Sequence, residues 1–253
     1  MDEYLKNYDS FTESRVYKFM LGDGGIGDLM KFFMFVLHEC IAKKYKIYYL
    51  ITGSPLEKYV LLNNNSFYIL QSNINNIGKY KIVTPIDYYN MFRYDKLTIP
   101  TSDIFTFSYT IINNVSLLLP TQNNYVSIHI RLGDKFLETD KAFVLCKEDD
   151  RGFNEEKTSD YIVNNSDKNI IFFSDNNALK LKMKEKHENI IIFNSKIGHT
   201  SLQNTNEEQI IDTITEFYIL LQSEEIAVNT DSGFSIMASK FNNVPLFRLF
   251  TKK

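Results

Sequence analysis

Cysteine is scarce in this sequence and tryptophan is absent. Cys40 and Cys146 have neither C-x-x-C spacing nor a nearby histidine cluster, so we expect neither a disulfide framework nor a zinc site. No metal ligand set is expected elsewhere. Free thiols are typical of a reducing compartment, and a cytoplasmic location is therefore expected.

Long apolar runs are also missing. No stretch approaches the roughly 20 residues that a membrane-spanning helix needs, and the first residues lack the basic and apolar regions of a secretory signal. The formal net charge is only -3, which gives no strong field for nucleic acid. These features predict a chain without a membrane span and without a nucleic-acid partner, in which a few local groups would have to hold any phosphate-bearing ligand.

The sequence does contain an alternation of strand and helix patterns. In the N-terminal half, strands are predicted at 16–21, 46–51 and 81–83, with a helix at 28–44, whereas the apolar stretch 104–119 has an ambiguous period. The C-terminal half is clearer. Strands are predicted at 125–131, 170–173, 190–193, 225–229 and 246–250, and helices at 177–186, 207–223 and 234–241.

This alternation predicts an α/β fold. Parallel strands need crossover connections, and helices that make these crossovers cover both faces of a mostly parallel sheet. Proline and polar residues at 120–124 interrupt two apolar runs, so the sequence favours two α/β domains that join there. The predicted domains are residues 1–124 and 125–253.

Polar residues follow several predicted strands, at the edge where open parallel sheets bind ligands. Asp134 and Lys135 follow the strand 125–131, and Asp175 follows the strand 170–173. Because side chains alternate along a strand, His129 and Arg131 should point the same way. A guanidinium and an imidazole there could bind a phosphate or a base. Alternatively, Arg131 pairs with Asp134 and His129 is an internal residue.

The segment 230–233, Thr-Asp-Ser-Gly, leads from a predicted strand into a short helix. Its backbone N–H groups and the hydroxyl of Ser232 could hold a diphosphate without a lysine. The same residue types also cap ordinary helices, so a simple helix start is the alternative.

The loop after the first predicted strand matches G-x-G-x-x-G at Gly22, Gly24 and Gly27. This spacing raises a nicotinamide-dependent enzyme as a rival. However, the second strand does not end in an acidic residue, and the first carboxylate beyond it belongs to Glu57. The sequence therefore favours a loop that allows close approach of a sugar or phosphate to the backbone.

Together these segments resemble the fucosyltransferase superfamily of GT-B fold, which includes α-1,2-, α-1,6- and protein O-fucosyltransferases. Residues 126–135, VSIHIRLGDK, are similar to the family motif H-x-R-R-[TG]-D, here H-x-R-x-G-D. Residues 172–176, FFSDN, are similar to its S-D-D stretch, and residues 229–235, NTDSGFS, to its final T-x-S-S or N-S-T-F-S loop. Residues 22–29 look like its G-x-G-x-Q-L stretch.

The resemblance implies two Rossmann-like domains that face a central cleft, with the acceptor side in the N-terminal domain and the GDP-sugar site in the C-terminal one. It implies that Arg131 and Ser232 hold the donor β-phosphate with Lys135 nearby, and that His129 and Asp175 face the guanosine with Asp212. Together with the loop residues, the expected donor-binding set is Gly24, Gly25, Gly27, His129, Arg131, Lys135, Asp175, Asp212, Asp231, Ser232 and Gly233.

The resemblance also implies an inverting, metal-independent transfer of L-fucose from GDP-β-L-fucose to a glycan hydroxyl, with Arg131 stabilising the departing GDP. A glutamate serves as base in the α-1,6 branch. Glu138 lies one residue nearer to the motif than that pattern, and Asp140 is the other candidate. Leu132 stands where the family commonly has a second arginine. A transferase for another nucleotide sugar and a non-catalytic nucleotide or glycan binder remain alternatives.

Overall fold

The computed structural model describes residues 1–119, 124–139, 144 and 146–250. The chain divides into two compact units, Met1–Ser108 and Tyr109–Lys253. The sequence placed the boundary at residue 124, beyond the helix Tyr109–Leu118, but this helix packs against the helix Glu207–Leu221 and belongs to the second unit. The ambiguous stretch 104–119 is therefore a short strand of the first unit followed by a helix of the second.

The first unit contains a parallel sheet in which β1 lies between β2 and β5, and β4 pairs with the outer side of β2. A separate antiparallel pair is formed by β3 and β6. Its elements are α1 (Asp2–Asn7), β1 (Glu13–Lys18), α2 (Ile26–Lys43), β2 (Lys46–Leu50), β3 (Val60–Leu62), β4 (Tyr68–Ile69), β5 (Lys79–Val83), α3 (Pro85–Tyr88) and β6 (Phe105–Phe107).

Helix α2 is the largest element of the first unit. Its buried apolar residues, such as Met30, Phe33 and Leu37, recur at three- and four-residue steps, so one face packs into the core. The helix begins after Gly25 and ends where Lys44 adopts a left-handed conformation. The sequence predicted this helix with a later start.

The second unit contains a five-stranded parallel sheet in the order β11-β10-β7-β8-β9. The chain begins the sheet at its centre with β7, adds β8 and β9 on one side, and then returns to add β10 and β11 on the other. Its elements are α4 (Tyr109–Leu118), β7 (Tyr125–Ile130), α5 (Glu155–Asn164), β8 (Asn169–Ser174), α6 (Asn177–Lys186), β9 (Ile190–Ile191), α7 (Glu207–Leu221), β10 (Glu225–Val228), α8 (Gly233–Asn242) and β11 (Leu246–Arg248).

The two faces of β7 confirm the predicted alternation. Val126, Ile128 and Ile130 belong to a core cluster with β8, α5 and α6. On the opposite face, Ser127 contacts Ser223, which follows α7, and His129 contacts α8. His129 therefore points away from this cluster, as the sequence predicted.

The fold class expected from the sequence is confirmed: the chain is α/β, with two parallel sheets of Rossmann-like topology. Both cysteines are free, Cys40 buried and Cys146 exposed. Within the described ranges, none of the helices has the length and apolar character that crossing a bilayer requires.

Candidate functional site

The second sheet has a topological switch point between β7 and β10, where the order of its strands reverses. In open α/β sheets, ligands bind in the crevice at the carboxyl ends of the strands on either side of such a point. Arg131 follows β7 directly, and Asn229 follows β10 directly. The segments after these two strands are therefore the candidate site of the second unit.

Asn229 joins the ends of the two strands. It is buried, its Oδ1 accepts a hydrogen bond from the backbone N–H of Arg131 at 2.9 Å, and its Nδ2 donates to the Arg131 carbonyl at 2.9 Å. Nδ2 also donates to the carbonyl of Gly152 at 2.7 Å. One amide side chain thus fixes the backbone of Arg131 to β10 and to the segment around Gly152.

The Arg131 guanidinium lies between two carboxylates. Its Nη2 donates to Asp134, and its Nη1 lies 3.2 Å from Oδ2 of Asp175. The side chain is only 13% exposed, so these pairs hold the guanidinium in one place at the edge of the sheet. The predicted pairing with Asp134 is therefore present, and a ligand phosphate would have to share Arg131 with Asp134 and Asp175.

Asp175 shapes the loop after β7. Its Oδ1 accepts from the N–H of Leu132 at 2.8 Å, and its Oδ2 accepts from the N–H of Gly133 at 3.1 Å. Burial raises the pKa of this carboxyl group, and the charge of Arg131 and these N–H groups act in the opposite direction. Asp175 therefore has an internal role beside Arg131, at the edge of the sheet where the sequence placed it.

His129 is the neutral member of the site. It is 7% exposed, its Nδ1 lies 2.5 Å from Oγ of Ser235, and its ring stacks on Phe234 with centroids 5.2 Å apart. Burial, together with the charges of Arg131 and Arg151, lowers the pKa of His129 to about 3. The imidazole can contribute hydrogen bonds there but no positive charge at neutral pH.

Helix α8 begins at the same edge of the sheet. Ser232 is its N-cap, is 6% exposed, and accepts a hydrogen bond from the N–H of Phe234 at 3.3 Å. Gly233 is the first helical residue, and the first turn contains no acidic residue. Asp231 is exposed and pairs with Arg248, with Nε and Oδ1 2.9 Å apart. The start of α8 therefore offers a positive dipole end near the strand that carries Arg131.

Of the two predicted bases, the structure describes Glu138. Glu138 is exposed, and its Oε1 accepts from the first N–H groups of α6, at 2.7 Å from Asn177 and 3.2 Å from Ala178. Its carboxylate is thus held near the carboxyl end of β8. Asp140 lies outside the described residues.

Lys135 and Asp212, which the sequence also placed in the donor site, have partners in nearby loops. Lys135 lies 3.2 Å from Oδ2 of Asp150 and 5.3 Å from the ring centroid of Phe136. Asp212, on α7, accepts from the N–H of Lys196 at 2.7 Å and anchors the loop after β9. Across the described ranges, no group of three or more His, Cys, Asp or Glu side chains is arranged to hold a metal ion.

The predicted glycines belong to the first unit, and their loop is closed by a carboxylate. Asp28 accepts from the N–H of Gly25 at 3.0 Å, at the start of α2. Gly24 has φ +129, and a Cβ there would lie 2.4 Å from Oδ2 of Asp28. Gly27 is a buried residue within α2. The glycine at 24 is therefore explained by the close approach of Asp28.

Glu57, the first carboxylate beyond β2, is bound by neighbouring groups of the first unit. Its Oε1 accepts from the hydroxyl of Tyr49 and from the N–H and hydroxyl of Thr52, and its Oε2 accepts from the N–H of Gly53. Both oxygens of the Glu57 carboxylate are therefore used in holding the segment that follows β2. These bonds disfavour the nicotinamide interpretation of the glycine loop.

Asp149 and Arg151 were not singled out from the sequence, and Asn229 was recognised only as the first residue of the motif at 229–235, without a role. Asp149 accepts from the N–H of Asp134 through Oδ2 and from the N–H of Lys135 through its carbonyl. Arg151 donates from Nε to Asp149 at 2.9 Å. The only sequence signal for this segment is its charged run at 147–151, which is typical of a solvated loop.

The sequence matches no family model and no curated protein, but its fold matches solved structures. A mutant of FUT1 of Arabidopsis thaliana in complex with GDP has a TM-score of 0.58 at 10% identity, over 100% of this chain and 75% of that one. NodZ α-1,6-fucosyltransferase soaked with GDP-fucose, from Bradyrhizobium, has a TM-score of 0.56 at 9% identity, over 90% and 92%.

POFUT1 in complex with GDP has a TM-score of 0.54 at 10% identity, over 94% of this chain and 98% of that one. At such low identity the likeness establishes the fold alone. The match nevertheless extends over both units, and it agrees with the resemblance that the sequence motifs indicated. This chain has the two-sheet α/β fold of the GT-B fucosyltransferases.

Proposed function

We propose that this protein is an inverting glycosyltransferase that transfers L-fucose from GDP-β-L-fucose to a hydroxyl group of a glycan. The second unit would bind the donor, and the first unit the acceptor. The fold supports the assignment because structures with the same fold contain GDP or GDP-fucose.

One observation carries the proposal. The Arg131 guanidinium is held at the switch point of the second sheet, on the strand next to the one that leads into α8. Departure of GDP from the sugar builds negative charge on the diphosphate, and a fixed guanidinium with a helix N-terminus stabilises such charge. Arg131, the N–H groups around Ser232 and the ammonium group of Lys135 would supply this stabilisation.

The acceptor hydroxyl must lose a proton as it attacks the sugar. Glu138 and Asp140 are the proposed bases, since a positioned carboxylate can take this proton. In Glu138, Oε1 is held by α6, so the proposal assigns proton transfer to Oε2. His129, Asp175, Asp212, Asp231 and Gly233 are proposed to position the nucleotide. Gly24, Gly25 and Gly27, which the sequence analysis placed in the donor-binding set, are proposed instead to border the acceptor side, because Asp28 closes their loop.

A binder without transfer activity is the second candidate. It is favoured by the engagement of Arg131 with Asp134 and Asp175, and by the binding of Glu138 to α6. These contacts mean that a ligand must compete for the guanidinium and that the base is already a hydrogen-bond acceptor. A GT-B transferase with a different nucleotide sugar fits the same geometry, because fold alone does not determine specificity.

The test compares donors and then removes the guanidinium. The purified full chain is titrated calorimetrically with GDP, GDP-fucose, GDP-mannose and UDP-sugars, and GDP release is measured with a panel of glycan acceptors. GDP-fucose should bind and turn over. Arg131→Lys should reduce turnover about 100- to 1,000-fold, as expected when a fixed donor to a developing anion is lost.

Lys182→Gln is the matched control, because Lys182 is an exposed cation of the same unit that pairs with Glu155 on α5. Its turnover should remain near that of the unsubstituted protein. Near-normal turnover of Arg131→Lys would contradict the phosphate assignment. Binding of GDP without release from any acceptor would favour the binder.

A further inference from the structure

The charges around Arg131 leave a diphosphate under-compensated. Each phosphate of a nucleoside diphosphate carries negative charge, and Arg131 already shares its guanidinium with Asp134 and Asp175. The Arg131 charge is therefore largely balanced before a ligand arrives. A second cation with a fixed position would make the edge of the sheet far better suited to a diphosphate.

Leu132 cannot be that group, because its side chain packs against the hydrophobic core of β7, β8, α5 and α6. Lys135 pairs with Asp150 and its side chain is 49% exposed, so solvent screens its charge more strongly. Arg248 is 51% exposed and pairs with Asp231 through both Nε and an Nη atom. Arg151 remains as the less exposed guanidinium next to the loop after β7.

The backbone of Arg151 is fixed beside that of Arg131. Its N–H donates to the carbonyl of Leu132 at 2.9 Å. The next residue, Gly152, accepts from Nδ2 of Asn229, the same atom that donates to the Arg131 carbonyl. The two arginines therefore lie on paired segments that a single buried amide connects.

The Arg151 side chain is oriented by one ion pair. Nε donates to Oδ2 of Asp149 at 2.9 Å, and the side chain is 32% exposed. A guanidinium carries four further N–H groups on its two Nη atoms, which this bond does not use. The charge of Arg151 also acts on the buried His129, where it lowers the pKa together with Arg131.

We propose that Arg151 is a second guanidinium that contacts the diphosphate of the bound nucleotide, side by side with Arg131. This inference rests on the proposed function, since it deepens the donor site. Arg131 would provide the fixed, shielded contact. Arg151 would provide the partly open contact on the solvent side.

The experiment measures binding of guanosine, GMP and GDP to the full chain by calorimetry at two salt concentrations. Arg151→Gln should weaken GDP binding about 10- to 100-fold, as expected for lost hydrogen bonds between charged groups. It should leave guanosine nearly unchanged, lower the preference for GDP over GMP, and reduce the salt dependence of GDP binding. Arg151→Lys keeps the charge without the planar fork, and should restore part of the affinity.

Lys182→Gln, which removes one exposed cation from the same unit, should bind all three ligands as the unsubstituted protein does. Because the backbone bonds of Arg151 survive any side-chain change, both variants should fold, and thermal melts verify it. An equal loss for guanosine, GMP and GDP would show a structural role only and overturn the inference. Unchanged GDP binding by Arg151→Gln would also overturn it. If the unsubstituted protein binds no GDP, the proposed function falls as well.

Discussion

The two sheets of this protein have similar switch points, but the helices that begin there are capped by different groups. In the first unit the reversal lies between β1 and β5, and the helices after both strands are capped by carboxylates. Asp28 accepts from Gly25 at the start of α2, and Asp87 accepts from the N–H of Thr84 at 2.7 Å at the start of α3. In the second unit, α8 is capped by the neutral Ser232 and follows the strand beside Arg131.

This difference shows why a glycine-rich loop is a weak sign of phosphate binding. A carboxylate at a helix N-terminus satisfies the same N–H groups and dipole that would otherwise attract a phosphate. The first unit carries the glycine motif and is closed in this way. The second unit carries no such motif, yet it presents the guanidinium and a helix start without acidic residues in its first turn.

Two glycines with similar positive φ angles distinguish the two loops. Gly133, in the loop after β7, has φ +104, and a Cβ there would lie 2.4 Å from the carbonyl oxygen of Asp149. Gly22 has φ +100, and a Cβ there would meet nothing within 4 Å. Gly133→Ala should lower the free energy of unfolding by about 2–5 kcal/mol, whereas Gly22→Ala should cost only the left-handed strain of about 1–2 kcal/mol.

Urea unfolding measures both variants, and calorimetry measures their affinity for GDP. Gly133→Ala should also weaken GDP binding, because the clash displaces the segment that carries Arg151. Gly22→Ala should not. Equal losses of stability and affinity in the two variants would remove the distinction between the two loops.

A second prediction uses the buried histidine of the donor site. The folded-state pKa of His129 is about 3, against an ordinary value of 6.5, so the unfolded chain takes up a proton that the folded chain refuses. The stability that the neutral His129 contributes is complete above pH 6.5 and is lost as the pH falls toward 3. The His129 contribution is about 1.4 kcal/mol per pH unit, or about 3 kcal/mol between pH 6.5 and about pH 4.

His129→Gln should flatten this slope when the free energy of unfolding is measured across the range. His38, on α2 of the first unit, is the matched comparison, since partial burial lowers its pKa in the same direction. His38→Gln should change the slope less, because His38 is more exposed and no neighbouring cation adds to its shift. A slope unaffected by His129→Gln would show that the imidazole is not held neutral.

The sequence was most informative where local patterns are strong. Helix α6 begins and ends as predicted, and the strands from β7 onward lie within a few residues of their predicted bounds. Helix α5 was missed, because only Thr158, Tyr161 and Ile162 are buried in it and its surface is polar. So few buried positions give a weak helical period.

The candidate site was only partly predictable. The positions of His129, Arg131 and Ser232 follow from strand alternation and the order of strands and helices. Asn229 forms hydrogen bonds with residues far away in the chain. Arg151 lies in a loop whose backbone forms a hydrogen bond with Leu132, and this pairing leaves no pattern in the local sequence. Such long-range hydrogen bonds depend on the assembled sheet, so no local spacing in the sequence could reveal them.

Hydrogen–deuterium exchange of the full chain with and without GDP locates the bound nucleotide. We expect a nucleoside diphosphate to bind at the switch point of the second sheet and not at the glycine loop of the first. GDP should slow exchange of the amides at 131–135, 151–152 and 232–235, and leave those at 22–28 unchanged. Protection confined to 22–28, or no protection in the second unit at saturating GDP, would contradict this expectation.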